Sequence, residues 1–251
     1  MMGLDKVGKR KISLFGMELD IYALMAYFST FSNALCGSIV LFFFVIGNPL
    51  NHILTTRLIV LGASFDAIDG KLARRSNYQF KIGSHLDTYA DLVTFGLAPA
   101  FMILEMLNDY NQIIAWICGS LYVLTASFRL SRFVIAKTSL VFAGMPSPPA
   151  AIFIASFYVV PDIHPLFIAF SAILISTLMM SSLPFTGMRK IDNYFDLFHF
   201  ILGIVLMLLL TYSPSNWFPT LGKIFIGYIY YFIIIGVPHA QWQLRKFESS
   251  L

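Results

Sequence analysis

Asp66-Ala67-Ile68-Asp69-Gly70-Lys71-Leu72-Ala73-Arg74, continued by Gly83, Asp87 and Asp91, decides how this chain is read. Its four acids fall inside or beside segments that are otherwise apolar enough to sit in a bilayer. Ionisable groups in such segments are costly and mark function by default. On helices, Asp66 and Asp69 are three residues apart and Asp87 and Asp91 are four apart, so each pair shares a face. Arg74, Arg75 and Lys81 lie between the pairs and read as a short basic loop at the membrane surface. Two adjacent helices therefore aim four carboxylates at one point. Carboxylates that close do not all ionise without countercharge. Oxygen ligands of this kind favour Mg2+ or Mn2+.

The rest of the chain supplies the membrane. Of 251 residues, 58% are hydrophobic and 12% are charged, and the mean hydropathy is +0.76. This composition excludes an ordinary soluble core and points to an all-α integral membrane protein. Apolar runs near 22–46, 53–72, 84–107, 112–130, 149–161, 164–183, 197–212 and 220–237 predict a polytopic bundle of about eight transmembrane helices. Residues 1–21, with Lys6, Lys9, Arg10 and Lys11 ahead of Ile12, Leu14, Phe15, Met17 and Leu19, read as a basic amphipathic juxtamembrane segment, expected as an interfacial helix. A catalytic transmembrane core is expected over 22–183, and C-terminal transmembrane helices and a tail over 184–251. The first apolar run is too long for a signal-peptide core. Cys36 and Cys118 lie in apolar runs and read as small buried hydrophobes.

Charge placement gives the orientation. The N-terminal cluster, Arg74, Arg75, Lys81, Arg129, Arg132, Lys137, Arg189, Lys190, Arg245 and Lys246 fall on one side of an eight-span topology, and Arg57 and Lys223 on the other. The positive-inside rule puts the first side, with the acids and both termini, at the cytoplasmic face. This asymmetry accounts for the net charge of +4 without any nucleic-acid partner.

The company the acids keep narrows their chemistry. Gly70, Ala73 and Gly83 carry little or no side chain and leave room for a ligand bulkier than a bare ion. Arg74 is a ready phosphate partner. Metals, small residues and an arginine near lipid suggest a phosphorylated lipid substrate. A divalent-cation transporter is the alternative from another class.

Asp66-x2-Asp69-Gly70-x2-Ala73-Arg74-x8-Gly83-x3-Asp87-x3-Asp91 resembles the signature of the CDP-alcohol phosphotransferases at every fixed position. The resemblance implies a six-helix catalytic core plus two helices, usually as a homodimer. It also implies transfer of a phosphatidyl group from a CDP-linked lipid to an alcohol, with release of CMP. Carried over, Asp66, Asp69, Asp87 and Asp91 ligate Mg2+ or Mn2+, two ions in all, and Asp91 is also the general base. Gly70, Ala73, Arg74 and Gly83 receive the CDP-lipid, and Asn33 contacts the nucleotide. Ser32-Asn33-Ala34-Leu35-Cys36-Gly37, Phe128-Arg129-Leu130-Ser131-Arg132-Phe133 and Gly144-Met145-Pro146-Ser147-Pro148 look like the phosphatidylserine synthase branch. That branch implies CDP-diacylglycerol and L-serine as substrates, with Arg129 and Arg132 holding the serine carboxylate or a phosphate. Inositol or glycerol 3-phosphate as acceptor, and an archaeal ether-lipid donor, stay open within the family.

Overall fold

The computed structural model describes residues 12–14, 17–19, 21–76, 81–135, 142–185, 194–239 and 241–242. The helices fall where the apolar runs predict. They are α1 (Ile21–Val45), α2 (His52–Arg75), α3 (Lys81–Asp91), α4 (Ala98–Asn108), α5 (Gln112–Ile135), α6 (Ser147–Tyr158), α7 (Pro165–Met180), α8 (Tyr194–Tyr212) and α9 (Phe218–Tyr231). A π-helical turn, Leu92–Leu97, joins α3 to α4, and a second, Phe232–Gly236, extends α9.

The surface is inverted relative to a water-soluble protein. Along α1, Phe28 is 71% and Phe31 63% exposed, while Asn33 is fully buried. The inward stripe of α1 is small and polar: Ala26, Ser29, Thr30, Asn33, Gly37. Large apolar groups outside and polar groups inside is the arrangement a lipid solvent selects. Among the described residues, four helical stretches are long and apolar enough to cross a membrane: Ile21–Val45, His85–Asn108, Gln112–Arg132 and Ser215–His239. α2 is long enough but carries Arg57, Asp66, Asp69, Lys71, Arg74 and Arg75. This is an integral membrane protein of helical class.

Two short β pairs depart from the all-α expectation. Ile12–Leu14 (β1) and Met17–Leu19 (β2) pair antiparallel, Leu14 opposite Met17, where an interfacial helix was expected. The alternation of polar and apolar residues at Ser13/Leu14 and Met17/Glu18 suits paired strands better than a helix. Residues 1–11, 15, 16 and 20 of that segment lie outside the described residues. The second pair, Phe142–Ala143 (β3) with Pro184–Phe185 (β4), ties the loop before α6 to the end of α7.

α6 also differs from a spanning helix. It has 12 residues, roughly 18 Å at ~1.5 Å per residue, against a hydrocarbon thickness of ~30 Å. Every residue from Ala150 to Tyr158 is buried. It is the central pillar, with α2, α4, α7 and α9 packed around it. Thr56 Oγ1 bonds the Ala155 carbonyl at 3.1 Å, fixing α2 to it. Gly222 admits α6 closely, since a Cβ there would stand 2.9 Å from the Ser156 carbonyl. α8 meets α2 at the far end from the acids, where Arg57 Nη2 donates to Ser213 O at 2.6 Å and its guanidinium sits 5.0 Å from the Phe218 ring centre.

The π turn has a local cause. Pro99 has no N–H, so it cannot bond the Phe95 carbonyl in α-helical register. The register widens one residue earlier, where Ala98 N–H reaches the Val93 carbonyl. The turn begins directly after Asp91, and such turns recur at functional sites.

Candidate active site

α1, α2 and α3 carry the site. Ser29 Oγ donates to the Phe65 carbonyl at 2.9 Å and joins α1 to α2 one residue before Asp66. At the next crossing, Gly37 faces Thr94 of the π turn. A Cβ on Gly37 would lie 2.6 Å from Thr94 Cα. Gly62 faces the same threonine, with Thr94 Cγ2 2.7 Å and Asn33 Oδ1 3.0 Å from a Cβ position. Three backbones meet here because two of them carry glycine.

Above this crossing, Asp66 and Asp69 on α2 and Asp87 on α3 each offer a carboxylate oxygen, and the three oxygens lie within 4.8 Å of one another. Asp69 is buried and its Oδ2 accepts Thr30 Oγ1 at 2.8 Å. Thr30 also donates toward the Ala26 carbonyl at 3.1 Å, which steadies it on its own helix. Three hard oxygen donors converging from two helices fit Mg2+ or Mn2+.

The fourth acid has a different setting. Asp91 is 9% exposed and lies outside the triad. Its Oδ1 accepts Asn33 Nδ2 at 3.1 Å. It is within hydrogen-bond reach of Asp66, which links it to the triad. Arg129 of α5 lies in electrostatic range of both Asp91 and Asp66. Its Nη1 donates to Ser147 Oγ, at the first turn of α6. The Gly144-to-Pro148 loop is thus brought to Arg129. Gly144 takes φ +85°, and a Cβ there would stand 2.6 Å from the Met179 carbonyl. Gly144 N–H bonds Leu183 O at 2.9 Å and Met145 N–H bonds Leu178 O at 3.1 Å, so the loop is strapped to the end of α7.

The expected site residues separate into groups. Asp66, Asp69, Asp87, Asp91 and Arg129 come together. Arg74 is exposed in the last turn of α2, with Nη1 3.5 Å from where a Cβ on Gly70 would sit. Ala73 is exposed beside it. Gly83 falls in the first turn of α3. Arg132 goes elsewhere: its Nη1 donates to Met180 O and Ser181 O, both at 3.1 Å, at the C-terminal end of α7. Unsatisfied carbonyls at a helix end attract such a cation. Asn33, expected at the nucleotide, is fully buried on the inward face of α1.

Thr30, Ser147 and Tyr122 are missed by the sequence reading. Thr30 precedes Asn33 by three residues in an uncharged span, a helical polar pair that signals a shared inward face. Tyr122 precedes Arg129 by seven and shares its face of α5; it is fully buried in electrostatic range of Arg129. Ser147 had no signal beyond its place in the proline loop.

A carboxylate triad suited to a divalent cation, with a shielded carboxylate and an arginine in electrostatic range of both, is the outfit of a membrane-embedded group-transfer enzyme. The profile of the CDP-alcohol phosphatidyltransferase family matches residues 23–188, and the chain belongs to that family. It is 37% identical over 131 residues to archaetidylserine synthase of Methanothermobacter thermautotrophicus, covering 51% of this chain and 56% of that protein. It is 32% identical over 164 residues to CDP-diacylglycerol–serine O-phosphatidyltransferase of Bacillus subtilis, covering 64% of this chain and 89% of that protein. The protein of that name from Methanocaldococcus jannaschii is 32% identical over 163 residues, 62% of this chain and 79% of its own length.

Proposed function

We propose that this enzyme transfers a phosphatidyl group from CDP-diacylglycerol to the hydroxyl of L-serine, giving phosphatidylserine and CMP. The observation that carries the reading is the position of Asp91, buried within electrostatic reach of both the acid triad and Arg129. The names of the three relatives support serine as acceptor.

A divalent cation held by Asp66, Asp69 and Asp87, with Asp91 near it, would supply positive charge to the pyrophosphate of the donor. The remaining work falls to side chains. Gly70, Ala73 and Gly83 leave room for the cytidine nucleotide, and Arg74, exposed over Gly70, pairs with phosphate. Arg129 holds the serine carboxylate, oriented by Ser147. Asp91 takes the hydroxyl proton as the serine oxygen bonds phosphorus. The phosphorus–oxygen bond to CMP breaks, and CMP leaves with that electron pair. Positioning and fixed charge do most of the catalysis.

A site at the cytoplasmic face, a bundle of about eight helical segments with α6 at its centre, and a homodimer belong to the same reading, on the basic-residue asymmetry and the family resemblance. An ether-lipid donor is the second reading, favoured by the likeness to archaetidylserine synthase. The test is CMP release by purified protein given Mn2+ and either CDP-diacylglycerol or CDP-archaeol, with serine, inositol, glycerol 3-phosphate or no acceptor. Serine-dependent release is expected. Release with another acceptor and none with serine would overturn the serine assignment.

A further inference from the structure

Asn33 is the one polar side chain of α1 that reaches Asp91 among the described contacts, and the fold is shaped around it. The residue is fully buried, so it has no surface for a nucleotide. Its backbone carbonyl accepts Thr94 Oγ1 at 2.8 Å. Its side chain lies over Gly62, where any larger residue would press on Oδ1. A carboxylate only accepts hydrogen bonds, so the amide must turn Nδ2 toward Asp91 Oδ1, as found at 3.1 Å. That orientation leaves Asn33 Oδ1 buried with no hydrogen-bond partner among the described residues. A side chain kept for stability alone would do better apolar at this position, since an unpaired buried acceptor is destabilising. The donor group is what the position retains.

We propose that Asn33 is a positioning residue, whose amide occupies one oxygen of Asp91 and turns the other toward the acceptor hydroxyl. Asp91 sits at the end of α3, where the helix register changes into the π turn. Asn33 thus holds the π turn that follows Asp91 through Thr94 Oγ1, and one oxygen of the Asp91 side chain through its amide. The two links separate experimentally. The Thr94 bond goes to the backbone of Asn33 and survives any substitution of its side chain, so the helix crossing persists when the amide is removed.

The inference rests on Asp91 being the general base. The test compares wild type, Asn33→Ala, Asn33→Asp and Asp91→Asn as purified full chains with Mn2+, CDP-diacylglycerol and serine. It measures kcat, both KM values and CDP-diacylglycerol binding in mixed micelles. Asn33→Ala is expected to lower kcat about 10- to 100-fold, a part of the roughly 10²–10⁴ a general base contributes. Binding and KM for CDP-diacylglycerol should stay within about twofold, because the residue does not touch donor. Asn33→Asp keeps the shape but has no N–H when ionised, and should lose more. Should Asn33→Ala not purify folded, Asn33→Ser removes the amide with a smaller void and carries the same comparison. Unchanged kcat in these variants, or a raised KM for CDP-diacylglycerol at unchanged kcat, overturns the positioning role. Normal turnover by Asp91→Asn instead overturns the base reading beneath it.

Discussion

Gly37→Ala is a sharp perturbation because it adds one methyl group at the crossing beneath the acids. The new Cβ would meet Thr94 Oγ1 at 2.5 Å, Cα at 2.6 Å and Cβ at 2.9 Å. Ordinary contact begins near 3.4 Å, so α1 and the π turn must part by about 0.8 Å, the difference between 3.4 and 2.6 Å. Thr94 Cα is backbone and cannot rotate away. Overpacking of this kind destabilises by about 1–3 kcal/mol. The larger effect is on geometry, since Asn33 lies one turn before Gly37 and Asp91 three residues before Thr94. Displacement near 1 Å at a reacting group costs on the order of 100-fold in rate. We predict kcat for CMP release down by about that factor, with a smaller change in the Mn2+ titration midpoint because two of the three triad acids, Asp66 and Asp69, are on α2. Steady-state CMP release across a Mn2+ series reads both. A Gly37→Ala enzyme with wild-type kcat would refute the claim that this crossing sets the position of Asp91.

Other substitutions divide the roles. Asp69→Asn should weaken metal dependence and donor binding together, since it removes one charge of the triad and changes the partner of Thr30; an unchanged Mn2+ titration would count against its ligand role. Asp91→Asn should bind CDP-diacylglycerol normally and lose roughly 10²- to 10⁴-fold in turnover, measured in single-turnover reactions. Arg129→Lys should raise KM for serine more than KM for the donor, because a lysine cannot hold Ser147 and a carboxylate with one planar fork. Arg132→Ala should lower the thermal midpoint in detergent through loss of its bonds to the end of α7, and move serine KM less than Arg129→Lys does.

The core of the site was legible because it is local. Asp66 and Asp69 share a helix, as do Asp87 and Asp91, and helical spacing places each pair without tertiary knowledge. The helices were legible for the same reason, from runs of apolar residues. What escaped depends on contacts between distant segments. Asn33 stood out as polar in an apolar span, but its partner is 58 positions away. Arg129 and Arg132 look equivalent in sequence, three residues apart near the end of one helix. Only packing sends the first to Ser147 and the acids and the second to the carbonyls of α7. α6 read as a short span because a run apolar on every side suits lipid and a protein core equally. The hairpin at Ile12–Leu19 was hidden by a basic, mixed-polarity segment that also suits an interfacial helix.

The most direct test of the account is transfer of isotopically labelled serine into lipid by the purified protein. Wild type and Asp91→Asn would be given CDP-diacylglycerol with Mn2+ or with excess chelator, and both labelled lipid and CMP measured. The account predicts labelled lipid and CMP in equal amounts from wild type with Mn2+, both lower by roughly 10²- to 10⁴-fold from Asp91→Asn, and neither under chelation. CMP formed without labelled lipid, or lipid labelled equally well by Asp91→Asn, would contradict it.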